Sequence, residues 1–464
     1  MILKRSFYMM IVLALLLSTI SSCSKATPQA TPTLEQSQVH VPTAEPKVSL
    51  DLISFPLWNG ITGKEPNGQG RDYWDYIATE FNKLHPNVTV NVEMWDWTTY
   101  AESRATRLAA NNPPDVAYTC DQDLHIFPDW FMPLDAYIDD EYRADVTADT
   151  WALFSEAGKV LGFPAQTGWM GLIINADLFR ERGVPIPADP DRAWTWDEFM
   201  SAVQKLTFDR DGDGVTDVYG TAVAAINWDM EWYNLHYLFN RGARFMDPTL
   251  KTFTLNNQAG VAAMQWLLDL QDKYNAIPIG AAGLSLDNVY QMMFRGQVAM
   301  YHGAPWVISW MQSSVANGEI EKATDLMLVQ YPHFPGETMV TDIGGCGFSV
   351  FKRDDPYRQD MAAKLALFIT SSERLRDWKA GANMPSRLSS MKGLYDDDPN
   401  MTVLLSMAPY GRIFWSHRVD MWTYADQMNA IIPAVFNHDL TPQEALDKFV
   451  NEAQPIFDAN QPKP

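Results

Sequence analysis

Apolar runs and amphipathic stretches alternate along the first third of the chain. An apolar run at 48–57 predicts a strand, apolar positions at helical spacing over 74–84 predict a helix, and strict alternation over 88–94 predicts a second strand. A helix over 100–110 and a strand over 116–119 continue the series. This order predicts an α/β fold with a parallel sheet, in which ligands collect beyond the carboxyl ends of the strands.

The stretch at 162–183, GFPAQTGWMGLIINADLFRERG, breaks this pattern. Phe163 and the apolar run at 172–174 read as strand, and an Asn-Ala-Asp turn leads into a short helix. Between them, 166–169 is polar, contains a glycine and ends in a tryptophan. The local pattern leaves two interpretations open, a crossover between two lobes or a kinked strand within one domain.

Later elements follow from the same patterns. Thr195 with Glu198, and Thr441 with Glu444, have the spacing of capping boxes at the start of helices. Periodicity predicts helices at 256–274 and 288–295, and strands at 298–301, 326–330 and 341–351.

Length and composition narrow the class of protein. The 464 residues can hold two domains, each with its own core. A formal charge of −22 and the lack of any basic run make nucleic-acid binding a poor fit. The 17 Trp, 18 Tyr and 22 Phe are numerous, and several flank Asp, Asn or Gly in predicted loops. Ring faces beside hydrogen-bonding groups suit a sugar.

The first 22 residues read as a lipoprotein signal peptide. Lys4 and Arg5 precede an apolar run at 7–20 that is too short to span a bilayer comfortably. Ile20-Ser21-Ser22-Cys23 resembles a bacterial lipobox, which implies cleavage before Cys23 and lipidation of its thiol. The alternative is an ordinary secretory signal with a chance cysteine.

Residues 23–47 are rich in Pro, Thr, Gln and Ala and predict a disordered tether. Loss of Lys4 and Arg5 with the signal peptide takes the formal charge to −24. Only Cys120 and Cys346 then remain, and a disulfide or two free thiols are both open, because sequence gives no distance between them.

An ordered series of motifs resembles one family. EFNKLHPNVTVNVE, LAANNPPDVAYT, GKVLGFPAQTGWMGLIINADLFRERG and WTWDEFMSAVQKLT are followed by MFRGQVAMYHGAPW, TDIGGCGFSVFK, NMPSR and TPQEALDKF. Together they resemble family 1 bacterial extracellular solute-binding proteins, the sugar-type receptors of ABC importers related to maltose-binding protein. Each motif is weak alone, but the series covers essentially all of the mature chain.

The resemblance implies a two-lobed, periplasmic-binding-protein-like fold of type II, with the ligand cleft between the lobes. The first lobe would comprise 48–165 with 330–371, and the second 166–329 with 372–464. On this assignment the chain first passes from one lobe to the other at 164–168, and Trp169 stands at the floor of the cleft. The interpretation as a kinked strand within one domain then loses support.

Positions in the family pattern also imply which residues line the cleft. Gly303 is expected to allow close backbone approach, and Gly345 lies on the return crossover with Gly344. The predicted ligand-binding residues are Trp58, Thr119, Asp121, Gln122, Trp169, Trp228, Trp232, Gly303, Trp306, Gly345, Arg387 and Trp422.

The loop DRDGDGVTD at 209–217 predicts a metal site. It matches a calcium-binding EF-hand loop at positions 1, 3, 5, 6 and 9, but position 12 is Gly220 rather than Glu. A structural calcium ion held by the loop and a solvated acidic turn are both open. The ligands would be Asp209, Asp211, Asp213, the Val215 carbonyl and Asp217.

No catalytic motif is present, whether zinc-protease, nucleophile-elbow or phosphate-loop. The family resemblance and the lipobox together imply a non-enzymatic function: a monomeric receptor, lipid-anchored on the outer face of the cytoplasmic membrane, that closes on a sugar and delivers it to an ABC permease. Two alternatives are the same fold with a polyamine, peptide or anion as ligand, and a glycan-acting enzyme, which would need two carboxylates roughly 5 to 9.5 Å apart.

Overall fold

The computed structural model describes residues 45–55, 71–95, 100–187, 192–226, 235–333, 338–378, 384–412 and 421–460. Within these ranges a few side chains are not described, including those of Gln122 and Trp422. Pro46–Pro464 forms one compact unit.

The described strands begin with the three that the sequence predicts in the first third of the chain. They are β1 Val48–Ser54, β2 Val88–Met94, β3 Val116–Cys120, β4 Ser155–Glu156, β5 Lys159–Val160, β6 Gly162–Gly168, β7 Gly171–Asn175, β8 Met300–Gly303, β9 Leu326–Val329, β10 Thr341–Asp342, β11 Gly344–Val350 and β12 Gly411–Arg412.

The described helices alternate with these strands. They are α1 Arg71–Leu84, α2 Tyr100–Ala109, α3 Asp121–Ile126, α4 Asp140–Ala144, α5 Ala148–Leu153, α6 Ala176–Glu181, α7 Trp196–Lys205, α8 Leu235–Asn240, α9 Gln258–Asp272, α10 Leu286–Phe294, α11 Pro305–Ala316, α12 Pro356–Ile369, α13 Ser372–Arg376, α14 Leu388–Met391, α15 Pro399–Ser406, α16 Met421–Phe436 and α17 Pro442–Asn460. None of these helices has both the length and the apolar character that crossing a membrane requires.

The first sheet has five strands in the order β2-β1-β3-β11-β6. β1 pairs in parallel with β2 and β3, as the alternating pattern predicts. β11 enters between β3 and β6 and runs antiparallel to both, a pairing that the alternation in the first third of the chain does not predict.

The second sheet has three strands in the order β8-β7-β9, and both pairings are antiparallel. Its central strand β7 comes from the stretch that breaks the sequence pattern, and all five of its residues are buried. The predicted strand at 298–301 is shifted to Met300–Gly303.

Buried hydrophobic side chains form two clusters, one around each sheet. The first cluster draws on 50–165 and 348–378, and the second on 172–340 and 384–457. Two cores with a sheet each make the two-lobed α/β arrangement that the sequence predicts. Leu375 and Trp378 pack in the first cluster, beyond residue 371 where the predicted first lobe ends.

Both predicted capping boxes form. The Thr195 N–H donates to the Glu198 carboxylate at 2.8 Å, and the Glu198 N–H donates to the Thr195 hydroxyl at 3.3 Å. Thr441 and Glu444 make the same two bonds at 2.9 and 3.3 Å, so both helix starts are satisfied locally.

Candidate functional site

The two sheets meet where two passes of the chain run side by side. β6 ends at Gly168 in the first sheet and β7 begins at Gly171 in the second, so the change of lobe takes place at Trp169 and Met170. The returning pass lies against it, because Gly344 pairs with Gly168 and the Thr341 hydroxyl donates to the Met170 carbonyl at 2.7 Å. We call residues 168–171 and 341–344 the crossover.

On the first-lobe side, the carboxyl end of β3 lies against β11. The Thr119 hydroxyl lies 2.7 Å from that of Ser349, and Cys120 forms a disulfide with Cys346. The Gly345 N–H lies 3.5 Å from Oδ1 of Asp121. The structure thus brings Thr119, Asp121 and Gly345 close together, and their contact with a ligand stays a prediction. It also forms the disulfide that the sequence leaves open.

On the second-lobe side, Gly303 pairs with Gly171 next to the crossover. A Cβ at Gly303 would lie 2.8 Å from Val307 Cγ2 and 2.9 Å from Ile173 Cγ1. The need for glycine at this position therefore has an internal cause, the packing of α11 on β7. The sequence-based reason, close approach of a ligand, is not required.

Trp306 lies in the first turn of α11, three residues after Gly303. Its ring packs edge-on against Tyr290, with centroids 5.5 Å apart, and its side chain is half-buried. The next turn of α11 repeats this contact, because Trp310 packs on the same Tyr290 ring at 5.6 Å. Tyr290 thus contacts two tryptophans of α11, of which Trp306 lies nearer in the chain to Gly303.

Trp169 sits between the two lobes. It is half-buried and packs against the second hydrophobic cluster. A Cβ at Gly411 would lie 2.7 Å from its indole nitrogen, so β12 covers the N–H edge of the ring. Contact of Trp169 with a ligand stays a prediction.

Comparison with known protein families agrees with the two-lobed arrangement. The family described as bacterial extracellular solute-binding protein matches residues 67–373, which is more than half of the chain. The chain belongs to this family. The resemblance seen in the ordered motifs is therefore confirmed.

Individual relatives of the solute-binding protein are distant. The arabinooligosaccharide-binding protein of Bacillus subtilis is 23% identical over 242 residues, 50% of this chain and 52% of that protein. The chain spans only 52% to 60% of the length of the first curated relatives it matches.

Solved structures align over most of the chain. An ABC transporter solute-binding protein from Thermotoga lettingae bound with α-D-tagatose has a TM-score of 0.72 at 22% identity, covering 88% of this chain and 99% of that one. An ABC substrate-binding protein from Listeria monocytogenes in complex with cycloalternan has a TM-score of 0.72 at 20% identity, covering 89% and 99%. At these identities the likeness shows the shared fold.

Arg387 of the solute-binding protein is engaged inside the first lobe. Its guanidinium lies 3.4 Å from the centre of the Tyr142 ring and 3.6 Å from the Asp145 carboxylate. Its Nε donates to the Thr370 carbonyl at 2.8 Å. These contacts account for the side chain, and the structure adds no support to its predicted role in ligand binding.

Several predicted residues fall outside the described part of the chain. Trp58, Trp228 and Trp232 are among them, as are the lipidation site Cys23 and the signal peptide. The backbones of Gln122 and Trp422 lie in α3 and α16, but their side chains are not described. The ligand roles of all five side chains stay predictions.

The acidic loop at 209–217 folds around its own carboxylates. Those of Asp209, Asp211 and Asp217 have oxygens within 4.8 Å of one another. Backbone N–H groups of Gly214 and Gly212 each donate to Asp209 at 2.7 Å, and they hold the pKa of that carboxyl below its usual value.

The remaining predicted calcium ligands fit less well. The Asp213 carboxylate accepts from the Val215 N–H at 2.7 Å and is outside the three-carboxylate group. Gly220 occupies the position where a calcium loop needs Glu, and a Cβ there would lie 2.1 Å from the Val203 carbonyl oxygen. Only three of the four predicted carboxylates therefore converge, and the calcium site stays a prediction.

A cavity of about 470 Å³ lies elsewhere in the second lobe, between β9, α15 and the chain before α7. Trp194 and Val403 form parts of its walls, and Asn400 caps β9 there by accepting from the Leu328 N–H at 2.8 Å. It contains none of the predicted ligand-binding residues.

Sequence reasoning missed the buried charged pair of Arg104 and Asp123. Asp123 follows two residues after Asp121, but Arg104 lies in α2, and only the packing of α2 on the first sheet brings the two together. No known sequence motif places an arginine and an aspartate at the separation of Arg104 and Asp123, so the sequence alone does not reveal this pair.

Proposed function

We propose that this protein is an extracellular receptor that captures a sugar or oligosaccharide between its two lobes and delivers it to an ABC importer. The observation on which this rests is the paired crossover, because two cores joined by adjacent strands can rotate toward each other about a common line. Family membership and the sugars named for similar proteins support the choice of ligand.

A neutral sugar offers no net charge, so affinity must come from ring stacking and from hydrogen bonds that survive loss of water. A buried hydroxyl without a partner costs about 1–3 kcal/mol, so each needs a donor or an acceptor. Asp121 supplies a carboxylate at the end of β3, and Trp306 supplies a ring at the start of α11. Contacts from both lobes to one ligand stabilise the closed form over the open form.

The first experiment is a thermal-shift panel of the mature chain with mono- and oligosaccharides, alongside polyamines, peptides and anions. We expect a sugar to raise the melting temperature, and calorimetry then gives its Kd. Small-angle scattering should show compaction with that sugar. A rise with a non-sugar only would favour the alternative ligand class, and no ligand-induced compaction would contradict capture by lobe closure.

Substitution of each of two tryptophans in α11 can distinguish contact with a sugar from packing inside the second lobe. Trp306→Leu and Trp310→Leu each remove one contact to Tyr290. We expect similar falls in melting temperature, but roughly tenfold weaker sugar binding only for Trp306→Leu, since a central aromatic contact dominates such interfaces. Equal affinities in both variants would place Trp306 in the core rather than in the site.

The absence of catalysis is part of the proposal. The protein should bind oligosaccharides without cleaving them, and incubation followed by chromatography of the sugar tests this directly. Product formation that depends on protein concentration would replace the receptor with a glycan-acting enzyme.

Anchoring at Cys23 is proposed from the lipobox alone. The wild-type protein should enter the detergent phase in Triton X-114 partitioning, while Cys23→Ser should stay in the aqueous phase or remain unprocessed. Aqueous partitioning of both would leave a secreted receptor without an anchor.

A further inference from the structure

A buried ion pair lies directly behind the carboxyl end of β3. The Arg104 guanidinium in α2 pairs with the Asp123 carboxylate in α3, and both residues are nearly inaccessible, at 7% and 2% exposure. The planes of Tyr100 and Phe127 flank Arg104, whose Cζ lies 5.2 and 4.8 Å from their ring centres. The pair is thus enclosed by the rings of Tyr100 and Phe127.

Asp123 also bonds the backbone that leads to Asp121. Its Oδ2 accepts from the Cys120 N–H at 3.1 Å and from the Tyr100 hydroxyl at 2.7 Å. Burial raises the pKa of Tyr100 and outweighs the opposing effect of Arg104, so the phenol keeps the proton that it donates. One carboxylate therefore joins α2 to the last residue of β3.

The same short segment, residues 119–121, is also fixed by β11. The Cys120–Cys346 disulfide, the Thr119–Ser349 hydroxyl contact at 2.7 Å and the Gly345 N–H near Asp121 all come from that strand. Together with the bond from the Cys120 N–H to Asp123, these contacts hold residues 119–121 through both β11 and α3. This leaves Asp121 little freedom to move relative to the crossover.

Stability alone does not require a charged pair here. Burying two charges costs solvation that their attraction repays only when the geometry is good, and apolar replacements of such pairs are often neutral or stabilising. What an apolar pair could not do is accept the Cys120 N–H and the Tyr100 hydroxyl at defined angles. The chemistry of Asp123 is suited to fixing a position.

We propose that Arg104 and Asp123 are positioning residues that hold Asp121 in its ligand-binding geometry. The assignment rests on the proposed sugar-binding function. Pre-organisation of this kind raises affinity because the free protein does not have to order the loop when the ligand binds.

The same strand provides a matched control at its other end. Asp115 precedes β3, is fully buried, and accepts from Arg353 and from Arg358 at 2.7–2.8 Å. It lies roughly 20 Å along the strand from Asp121, at about 3.3 Å per residue. Its loss should destabilise the first lobe without disturbing the segment at the crossover.

The test measures Kd for the sugar identified by the panel, with the mature chain, well below the lowest melting temperature of any variant. We expect Asp123→Asn to weaken binding about tenfold to a hundredfold, the range produced by losing one hydrogen bond to a charged group. Asp115→Asn should lower the melting temperature at least as much and change Kd less than about twofold. Should Asp123→Asn not fold, Arg104→Lys replaces it, with a smaller loss of affinity in the same direction.

A double-mutant cycle shows whether Asp123 acts through Asp121. In the Asp121→Asn background, Asp123→Asn should weaken binding by less than about twofold further, because the interaction it orients is already impaired. Full additivity, or an unchanged Kd in Asp123→Asn alone, overturns the assignment while leaving the receptor function standing. A wild-type protein that binds no sugar overturns the proposed function, and the assignment falls with it.

Discussion

His302 is an ionisable side chain enclosed in the second lobe, on the strand that ends beside the crossover. It is fully buried, and neither ring nitrogen has a hydrogen-bond partner among the described residues. Burial lowers its pKa well below the usual value, and the nearby His236 ring lowers it further. The groups that face it are His236 and Tyr237 from α8, Tyr301 from β8, and Tyr331 after β9.

This burial predicts a loss of stability in acid. The unfolded chain takes up a proton at His302 below pH about 6.5 and the folded chain does not, so stability is full above that pH and falls as the pH drops toward the folded pKa. The contribution should be about 1.4 kcal/mol between pH 7.5 and 5.5. In urea titrations, the free energy of unfolding of His302→Phe should fall between pH 7.5 and 5.5 by about 1.4 kcal/mol less than that of the wild type.

His438→Gln is the control, because His438 is solvent-exposed in the second lobe. Identical slopes in the wild type and in His302→Phe would mean that His302 takes up a proton as readily in the folded protein as in the unfolded chain, which contradicts a lowered pKa.

At the scale of residues, the sequence predicts which residues lie in the same region better than it predicts the burial and contacts of each side chain. The family resemblance implies that Thr119, Asp121 and Gly345 all line the cleft, and the structure places them close together. The same reasoning could not give the burial of His302, nor the engagement of Arg387 with Tyr142, because these depend on helices that pack from distant parts of the chain.

At the scale of elements, the pairing of β6 with β11 depends on glycines that admit a phenylalanine ring. Phe154 lies across the two strands, and a Cβ at Gly162, Gly345 or Gly347 would come within 3.0 Å of its ring. At Gly347 a Cβ would also lie 2.1 Å from the Phe163 carbonyl oxygen. The pairing of β6 with β11 is thus shaped by close contacts that larger residues would prevent.

Two glycines of this strand pair should respond differently to alanine. Gly347→Ala should destabilise by about 1–3 kcal/mol through overpacking. Gly168→Ala meets nothing within 4 Å and should stay within about 0.5 kcal/mol of the wild type. Denaturant unfolding of both variants tests the difference, and a neutral Gly347→Ala would show that the strands can separate freely.

The acidic loop before Gly220 offers a second test at this scale. With three converging carboxylates and no bidentate Glu, we expect weak calcium binding, seen as a rise in melting temperature only at millimolar calcium. Asp211→Asn should abolish that rise, while Asp247→Asn, in another turn where one carboxylate accepts several backbone bonds, should keep it. No rise in the wild type would identify the loop as a solvated turn.

For the whole molecule, the order of secondary structure and the two-lobed plan were both predictable. The helix and strand periods are strong in the first third of the chain, and the polar break before Trp169 marks the change of lobe. The antiparallel entry of β11 and the disulfide were not predictable, because each depends on which strands meet across more than two hundred residues.

The Cys120–Cys346 disulfide closes a loop of 226 residues. The double variant Cys120→Ser/Cys346→Ser should lose about 2–4 kcal/mol of unfolding free energy. Dithiothreitol should lower the wild type to the level of the variant and leave the variant unchanged in urea titrations. Equal stability of the oxidised and reduced wild type would show that strand pairing alone, without the disulfide, holds β3 against β11.

The position of β11 also sets an order for synthesis and export. β3 and β6 meet only through β11, whereas β7, β8 and β9 of the second sheet all precede it in the chain. As the chain emerges from amino to carboxyl end, the second sheet can therefore be complete while the first still has two unpaired edges at β3 and β6. The sheet that contains β1 is the one that must wait for β11, and a chain arrested before residue 344 would expose those edges to aggregation or proteolysis.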